Sequence, residues 1–152
     1  MLRQAFTERL KEAMRARDAR TVATVRLILT TLKERDVAAR GAGRAEGIDE
    51  SEIPRMLQGM IKQRREAAAL YEQGNRSDLA AKEREEIAVI ESFLPRQMSE
   101  DEIAAAARAA IAETGAAGPR DIGKVMAALR ERHAGALDLG RAGALVKRLL
   151  AG

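Results

Sequence analysis

The sequence contains no cysteine, and His133 is its only histidine. Disulfide bonds, thiolate metal sites and a cysteine nucleophile are therefore excluded. A zinc site needs several nitrogen or sulfur ligands, and a serine triad needs an imidazole beside a serine and an acid. His133 lies instead near the predicted end of a helix, before Gly135, where an imidazolium interacts favourably with the last carbonyls. We expect no catalytic residue, no metal and no cofactor.

Aromatic residues are also scarce, at 2% of the chain, with no tryptophan, one tyrosine and two phenylalanines. The core must therefore consist mainly of Leu, Ile, Val, Met and Ala. Such a core favours packed helices over a sheet, because strands are rich in aromatic and β-branched side chains. The composition predicts an all-α fold, and 152 residues are enough for one medium domain or two small ones.

Long hydrophobic runs are missing too. No apolar run approaches the roughly 18 residues that a membrane-spanning helix needs. Arg3, Glu8, Arg9 and Lys11 are dispersed among the first apolar residues, which therefore lack the core of a signal peptide. We expect a soluble, cytoplasmic protein without a membrane partner.

Positive charge is concentrated in the first third of the chain. The net charge is +4, and residues 1–44 contain 11 Lys and Arg against five Asp and Glu. The remainder contains 16 against 18 and is slightly acidic. A localised positive surface attracts phosphate backbones through counterion release. The alternative is a solvated, arginine-rich helix face, since helix surfaces usually carry mixed charge.

Hydrophobic periodicity predicts two helices that form a hairpin at the start of the chain. Phe6, Leu10 and Met14 recur every four residues, and Asp18 is placed to cap the next helix. The second helix runs towards Ala39. Its predicted inner face consists of Val22, Val25, Leu29 and Leu32.

Three glycines between residues 41 and 47 predict an exposed loop before a third helix. Asp49 and Glu52 have the spacing of a capping box, whereas Ser51 is a rival cap that would place Pro54 in the first turn. The predicted apolar stripe of this helix consists of Ile53, Leu57, Met60, Ile61, Ala68 and Tyr71.

A tight reversal is predicted between the third helix and an antiparallel fourth. Gly74 ends the third helix, and either Gly74 or Asn75 can adopt the left-handed conformation. Ser77 or Asp78 can then cap the fourth helix, which Pro95 stops. The apolar positions of the fourth helix are Leu79, Ile87, Ile90 and Leu94.

Pro95 and Met98 flank a candidate domain boundary, because Ser99 and Glu102 supply a new capping box immediately afterwards. The predicted domains are residues 1–96 and 99–152. The second domain has only about fifty residues, and we expect it to fold as a compact bundle that gains stability from the first domain. Its three helical patterns cover residues 103–112, closed by Gly115, 122–129, closed near Gly135, and 139–150.

A cationic run on the third helix is a candidate phosphate contact. Lys62 and Arg65 lie within about 120° of arc with Arg55 on a helix, and Arg64 lies on an adjacent turn. The alternative for Lys62 is an ion pair with Glu66, four residues further on.

The reversal carries two further candidates. Arg76 projects from its tip and can contact a phosphate or a carboxylate of a partner. Tyr71 can stack on a single-stranded base, although packing across the helical hairpin is the simpler explanation.

Gly123 lies in the first turns of a predicted helix, where glycine costs about 1 kcal/mol relative to alanine. Either another helix packs closely against it, or a nucleic-acid backbone approaches there. In the second case Lys124 and the helix N-terminus would supply positive potential. The acidic clusters elsewhere fit helix starts and surface pairs, such as Glu86 with Lys82, better than catalysis or magnesium binding.

The chain resembles the GatB/YqeY family, small stand-alone helical proteins related to the tail of the B subunit of the glutamine-dependent tRNA amidotransferase. In the first domain the resemblance rests on Lys62-Gln63-Arg64-Arg65, Tyr71, Gly74-Asn75-Arg76-Ser77-Asp78-Leu79 and Phe93-Leu94-Pro95-Arg96-Gln97-Met98. In the second it rests on Gly123-Lys124-Val125-Met126, Gly135 and residues 145–150. Residues 136–141 depart from the family pattern, because they are more apolar than the basic stretch usual there.

The resemblance implies an elongated N-terminal domain of about four helices and a small C-terminal three-helix bundle. In the amidotransferase, the tail helps to hold the outer corner of the tRNA while other domains carry out transamidation. A carbon–nitrogen ligase activity with glutamine as nitrogen donor would attach to this chain only by family association.

Resemblance and charge together predict a non-catalytic tRNA-binding accessory module. Its candidate nucleic-acid contacts are Lys62, Arg64, Arg65, Arg76 and Lys124. Its structural motif residues are Tyr71, Gly74, Asp78, Pro95 and Gly123. The alternative is a helical protein-interaction module that docks onto a synthetase or amidotransferase assembly, because Ala, Met and Leu on amphipathic helices can leave an apolar groove.

Overall fold

The computed structural model describes residues 1–133 and 135–152. Over this part of the chain it contains seven α-helices, two short 3-10 turns and no strand, so the all-α prediction is confirmed. The chain divides into two compact units, Met1–Leu94 and Pro95–Gly152. The domain bounds 1–96 and 99–152 stay a prediction.

The first unit is built from four helices: α1 (Leu2–Arg15), α2 (Ala19–Gly41), α3 (Ile53–Gln73) and α4 (Ser77–Glu91). The helix α1 packs on α2, α3 packs on α4, and α2 also contacts α4. The buried core of this unit consists of Phe6, Val25, Ile28, Leu32, Ile53, Met56, Leu57, Met60, Ile61, Ile87, Ile90 and Leu94.

The hairpin of α1 and α2 forms as predicted, with one correction to the inner face of each helix. On α2, Val22 is only half-buried and lies outside the core cluster. The Asp18 carboxylate accepts a hydrogen bond from the backbone N–H of Thr21 at 3.1 Å, which confirms Asp18 as the cap of α2. Met14, however, is 53% exposed, and Ala13 is buried in its place. Two steps of four residues rotate Met14 by about 80° from Phe6, away from the inner face of α1.

The loop after α2 is exposed through residue 46, as predicted, but Gly47 is buried against Asp36. The Asp36 carboxylate accepts hydrogen bonds from the Arg3 guanidinium at 2.8 and 2.9 Å and from the backbone N–H of Ile48 at 3.0 Å. The Arg3 hydrogen bonds above all, and then that of Ile48, lower the pKa of Asp36 to about 2. This cluster ties the start of α1 to the end of α2 and the following loop.

Of the two caps predicted before α3, Asp49 and Ser51, the structure uses Asp49. Asp49 and Glu52 form a capping box around a 3-10 turn, Glu50–Glu52, and Pro54 occupies the first turn of α3. The Glu52 carboxylate accepts from the backbone N–H of Asp49 at 2.7 Å. Arg44 of the loop also donates to Glu52, and this bond is the main reason that the pKa of Glu52 falls to about 2.

The reversal between α3 and α4 uses Asn75 for its left-handed residue, with φ of 57°, whereas Gly74 has φ of −87° and caps the end of α3. The prediction that Ser77 or Asp78 caps α4 is wrong, because the N-cap position is Arg76, whose side chain makes no capping hydrogen bond. The Asp78 carboxylate pairs instead with the Arg76 guanidinium.

The helix α4 ends at Glu91, earlier than Pro95 requires. A turn follows, and it brings Phe93 and Leu94 against the core of the first unit. The ring of Phe93 meets that of Phe6 edge to face, with centroids 4.8 Å apart. Pro95 therefore follows the helix end and does not cause it.

The second unit contains α5 (Glu100–Thr114), α6 (Ile122–Arg132) and α7 (Leu139–Ala151), in agreement with the three predicted helical patterns. Ser99 caps α5 by accepting from the backbone N–H of Glu102 at 3.2 Å. Gly115 ends α5 with φ of 67°, a left-handed conformation that glycine adopts at low cost. The buried core consists of Ile103, Ala107, Ala110, Val125, Met126, Leu129, Leu137, Ala142, Val146 and Leu150.

Over the described parts of both units, no helix combines the length and the apolar character needed to cross a bilayer.

Candidate nucleic-acid interface

The predicted contacts lie in three places. Lys62, Arg64 and Arg65 are on α3, Arg76 precedes α4, and Lys124 is in the first turn of α6 in the second unit. Their nucleic-acid role stays a prediction. Their partners within the fold nevertheless differ in ways that bear on that role.

Arg64 is held inside the α3–α4 pair. Its Nε lies 3.0 Å from Oε2 of Glu86, and its Nη1 donates to the carbonyl of Met60 at 3.1 Å. The side chains of Arg64 and Glu86 are only 11% and 19% exposed. Glu86 was expected to pair with Lys82, but its contact with Arg64 joins two helices. A guanidinium with these partners would have to break buried contacts to reach a phosphate.

Two further ion pairs connect the same helices. Arg65 of α3 meets Glu91 of α4 at 3.2 Å, and Arg84 of α4 meets Glu72 of α3. The helix α3 therefore supplies the arginine in two of these ion pairs and the glutamate in the third. Arg65 near the middle of α3 pairs with Glu91 at the end of α4, whereas Glu72 at the end of α3 pairs with Arg84 in the middle of α4, so the two helices are antiparallel, as predicted.

Arg76 and Lys62 are accessible. The Arg76 guanidinium makes two contacts of 3.2 Å with the Asp78 carboxylate, and this pairing lowers the pKa of Asp78. Both side chains are exposed, so water and salt screen the pair and it contributes little stability. Lys62 is exposed on α3, and Tyr71, in the last turn of that helix, is half-buried.

The N-terminus of α6 is open. A Cβ built on Gly123 would meet no atom within 4 Å, so the prediction that another helix packs closely against this glycine is wrong. The inward contacts of α6 are made by Val125, Met126 and Leu129, which lie on the other side of the helix. The approach of a nucleic-acid backbone to Gly123 stays a prediction.

Lys124 stands beside this open position. Its side chain is 69% exposed, and its Nζ lies 3.8 Å from an oxygen of Asp121. The Asp121 carboxylate also accepts from the backbone N–H of Ala117 at 2.9 Å, and this bond is the main cause that lowers the pKa of Asp121. Asp121 thus has a structural partner of its own, and Lys124 remains available at the surface.

The surplus of cations in residues 1–44 is visible in the sequence, but none of these residues was predicted as a site. Four of these cations form ion pairs within the first unit: Arg3, Arg9, Arg20 and Arg44. Seven others are exposed on α1, α2 and their connection: Lys11, Arg15, Arg17, Arg26, Lys33, Arg35 and Arg40. The helical period could have predicted their exposure, because they lie outside the inner faces of α1 and α2.

Among the described residues, no group of three or more His, Asp or Glu side chains is placed to hold a metal ion.

Curated relatives that match part of the chain come from yeasts. The chain is 33% identical over 85 residues to "Altered inheritance of mitochondria protein 41, mitochondrial" of Vanderwaltozyma polyspora, covering 56% of this chain and 44% of that protein. The protein of the same name from Lachancea thermotolerans is 32% identical over 85 residues, covering 56% and 43%. The chain therefore matches less than half the length of these relatives.

The names of these relatives place them in mitochondria, so the cytoplasmic location of this chain stays a prediction. A family model covers far more of the chain than any of these pairwise matches. The model described as "Yqey-like protein" matches residues 3–150, which include all seven helices but for a terminal residue of α1 and of α7. This match spans both compact units. The chain belongs to the YqeY-like family.

Proposed function

We propose that this protein is a non-catalytic accessory that binds tRNA and leaves the chemistry to other proteins. The observation that carries the proposal is the family match over residues 3–150, since the family includes the tail region of the tRNA amidotransferase B subunit. Any glutamine-dependent amidation linked to the family would then depend on other subunits. The tail of that subunit holds tRNA, and binding requires only exposed cations and an accessible backbone.

The second unit supplies the contact that we favour, the outer face of α6. The exposed residues of this face are Gly123, Lys124, Ala127, Arg130 and Glu131, and Arg120 is exposed just before the helix. Small side chains at positions 123 and 127 let a phosphodiester backbone approach closely. The positive end of the helix dipole and the Lys124 ammonium both favour a phosphate there.

The first unit would add weaker, screened contacts. Lys62 and Arg76 are exposed, and Arg76 can exchange its surface pair with Asp78 for a phosphate at little cost. We leave Arg64 out of the proposed interface, because its guanidinium joins α3 to α4 through Glu86. Such an arrangement binds through backbone charge and therefore has little sequence specificity.

A filter-binding titration of the full chain against total tRNA at two salt concentrations tests the proposal. Each phosphate contact contributes a slope of about −0.9 to the dependence of log K on log salt, so binding should weaken steeply as salt rises. The double variant Arg120→Glu with Lys124→Glu should weaken binding by about tenfold or more and flatten this slope.

Lys82→Glu with Arg84→Glu is the control, because it makes the same charge change on α4 of the first unit. Circular dichroism would establish that each variant is folded. Undetectable binding of total tRNA at low salt would contradict the proposed function. Equal losses in the two double variants would contradict the α6 site and leave only a general effect of charge.

A further inference from the structure

The tip of the α1–α2 hairpin combines a left-handed residue that closes α1 with an exposed apolar side chain. Arg17, which connects the helices, has φ of 56°, a left-handed conformation that glycine or asparagine adopts more easily. Met14, in the last turn of α1, is 53% exposed although it is large and apolar. The conformation of Arg17 closes the end of α1, where the backbone N–H of Arg17 donates to the carbonyl of Met14 and that of Asp18 to the carbonyl of Ala13. The exposure of Met14 has no such local explanation.

Both residues line one shallow groove of about 480 Å³. Its lining residues are Met14, Arg17, Ala19, Val22, Ala23 and Arg26. Apart from Arg17 and Arg26, the lining residues are apolar, and none of them is aromatic. Ala19, Val22, Ala23 and Arg26 follow the spacing i, i+3, i+4 and i+7, which is the pattern of a helix face that receives another helix.

The groove is also electropositive, because the neighbouring acidic side chains contact residues outside it. Asp18 caps α2, and the charges that act on its carboxylate are those of Arg9 and Arg20. Glu12 lies 3.6 Å from Arg9. Arg17 and Arg26 are both exposed, and so are Lys11 and Arg15 on the end of α1. An occupant of the groove would therefore meet apolar surface flanked by cations.

We propose that this groove docks an acidic amphipathic helix of a partner protein, lying along α2. Its apolar face would cover Met14 and Val22, and its carboxylates would reach Arg17 and Arg26. The two alanines of the groove allow the helices to approach closely. This surface belongs to the first unit, whereas the tRNA contact proposed on α6 belongs to the second.

A nucleic acid fits the groove less well. Single-stranded bases bind by stacking on aromatic rings, and no ring lines the groove. A duplex backbone would cover the exposed Met14 with polar phosphates.

A second copy of the chain also fits poorly. Its helix α4 is rich in glutamate, but Glu85, Glu86 and Glu91 are already paired with arginines. Charge complementarity and the apolar lining residues therefore favour a different protein.

Site-specific photo-crosslinking with the full chain tests the proposal. Because the chain contains no cysteine, Ala23→Cys can be labelled uniquely with a benzophenone maleimide inside the groove. Ala81→Cys, exposed on α4, is the matched control position. Each labelled protein would be irradiated in extract from cells that produce it, with and without nuclease, and the crosslinked segments sequenced by mass spectrometry.

Residue 23 should crosslink to one protein segment with net negative charge and apolar residues three and four apart, and residue 81 should not. Arg17→Glu with Arg26→Glu should reduce the yield about tenfold. Lys33→Glu with Arg35→Glu, which changes the same charge further along α2, should leave it unchanged. Crosslinks to RNA, to a second copy or to a segment without this pattern would overturn the proposal, and so would equal yields at the two positions or no crosslink at all.

Discussion

Asp36 and Gly47 make a contact between a buried carboxylate and a glycine in the left-handed region. Asp36 is fixed by Arg3 and by the backbone N–H of Ile48, and it lies directly under the loop that leads to α3. Gly47 has φ of 83°, and a Cβ at this position would lie 2.4 Å from an oxygen of Asp36. Only glycine meets both requirements without moving the carboxylate away from Arg3.

We therefore expect Gly47→Ala to lower the free energy of unfolding by about 2–3 kcal/mol, from backbone strain and from displacement of Asp36. Gly43→Ala is the control, since Gly43 has a similar φ of 92° but open space around it. That variant should lose only about 1 kcal/mol. Urea denaturation of both variants measures the difference, and equal losses would show that the contact with Asp36 contributes nothing.

At the scale of elements, α3 and α4 are joined by apolar packing and by ion pairs. The pair of Arg64 and Glu86 differs from the others because both side chains are mostly buried. Removing one partner of such a pair leaves the other charge without compensation in a poorly solvated position. Replacing both by apolar residues removes that penalty.

Arg64→Leu and Glu86→Leu should therefore each lower the free energy of unfolding by about 2 kcal/mol, whereas the double variant should lose much less than the sum. Lys62→Ala, on the same helix but exposed, should change it by no more than about 0.5 kcal/mol. Thermal and urea unfolding would measure all four proteins. Additive losses in the double variant would mean that the two charges do not act as a pair.

The element scale also shows where local reasoning is sufficient. Asp18, Ser99 and Gly115 are helix termini that the sequence predicted and the structure confirms, because a cap depends on residues three or four positions away. Asp78 was predicted to cap α4, but it lies inside the first turn of the helix and its carboxylate pairs with Arg76. Met14 was assigned to the inner face of α1 from a spacing of four, which drifts around a helix of 3.6 residues per turn.

For the whole molecule, the two apolar clusters share no residue. One draws on residues 6–94 and the other on residues 103–150. Because each unit buries its own side chains, the division at Leu94 and Pro95 is a natural place to cut the chain. Among the residues that the structure describes, the core of the smaller unit is built from ten, three of them alanine.

We expect fragment 1–94 to be helical and to unfold cooperatively, and fragment 95–152 to be helical but less stable, because short chains bury a smaller share of their surface. Circular dichroism melts of both fragments and of the full chain would measure this. A second fragment without helical signal would show that its core depends on the first unit. A first fragment without a cooperative transition would contradict the division itself.

The sequence by itself determined the all-α class, the approximate helix boundaries and several caps, because these depend on periodicity and on neighbours within one turn. Tertiary structure alone decided which cations are available. Arg64 pairs with Glu86, which lies 22 residues further along the chain. Asp36 contacts Gly47, and Gly123 has open space around it. Partners that are distant in sequence set the burial and pairing of a charge, so no local pattern could distinguish a buried arginine from an exposed one.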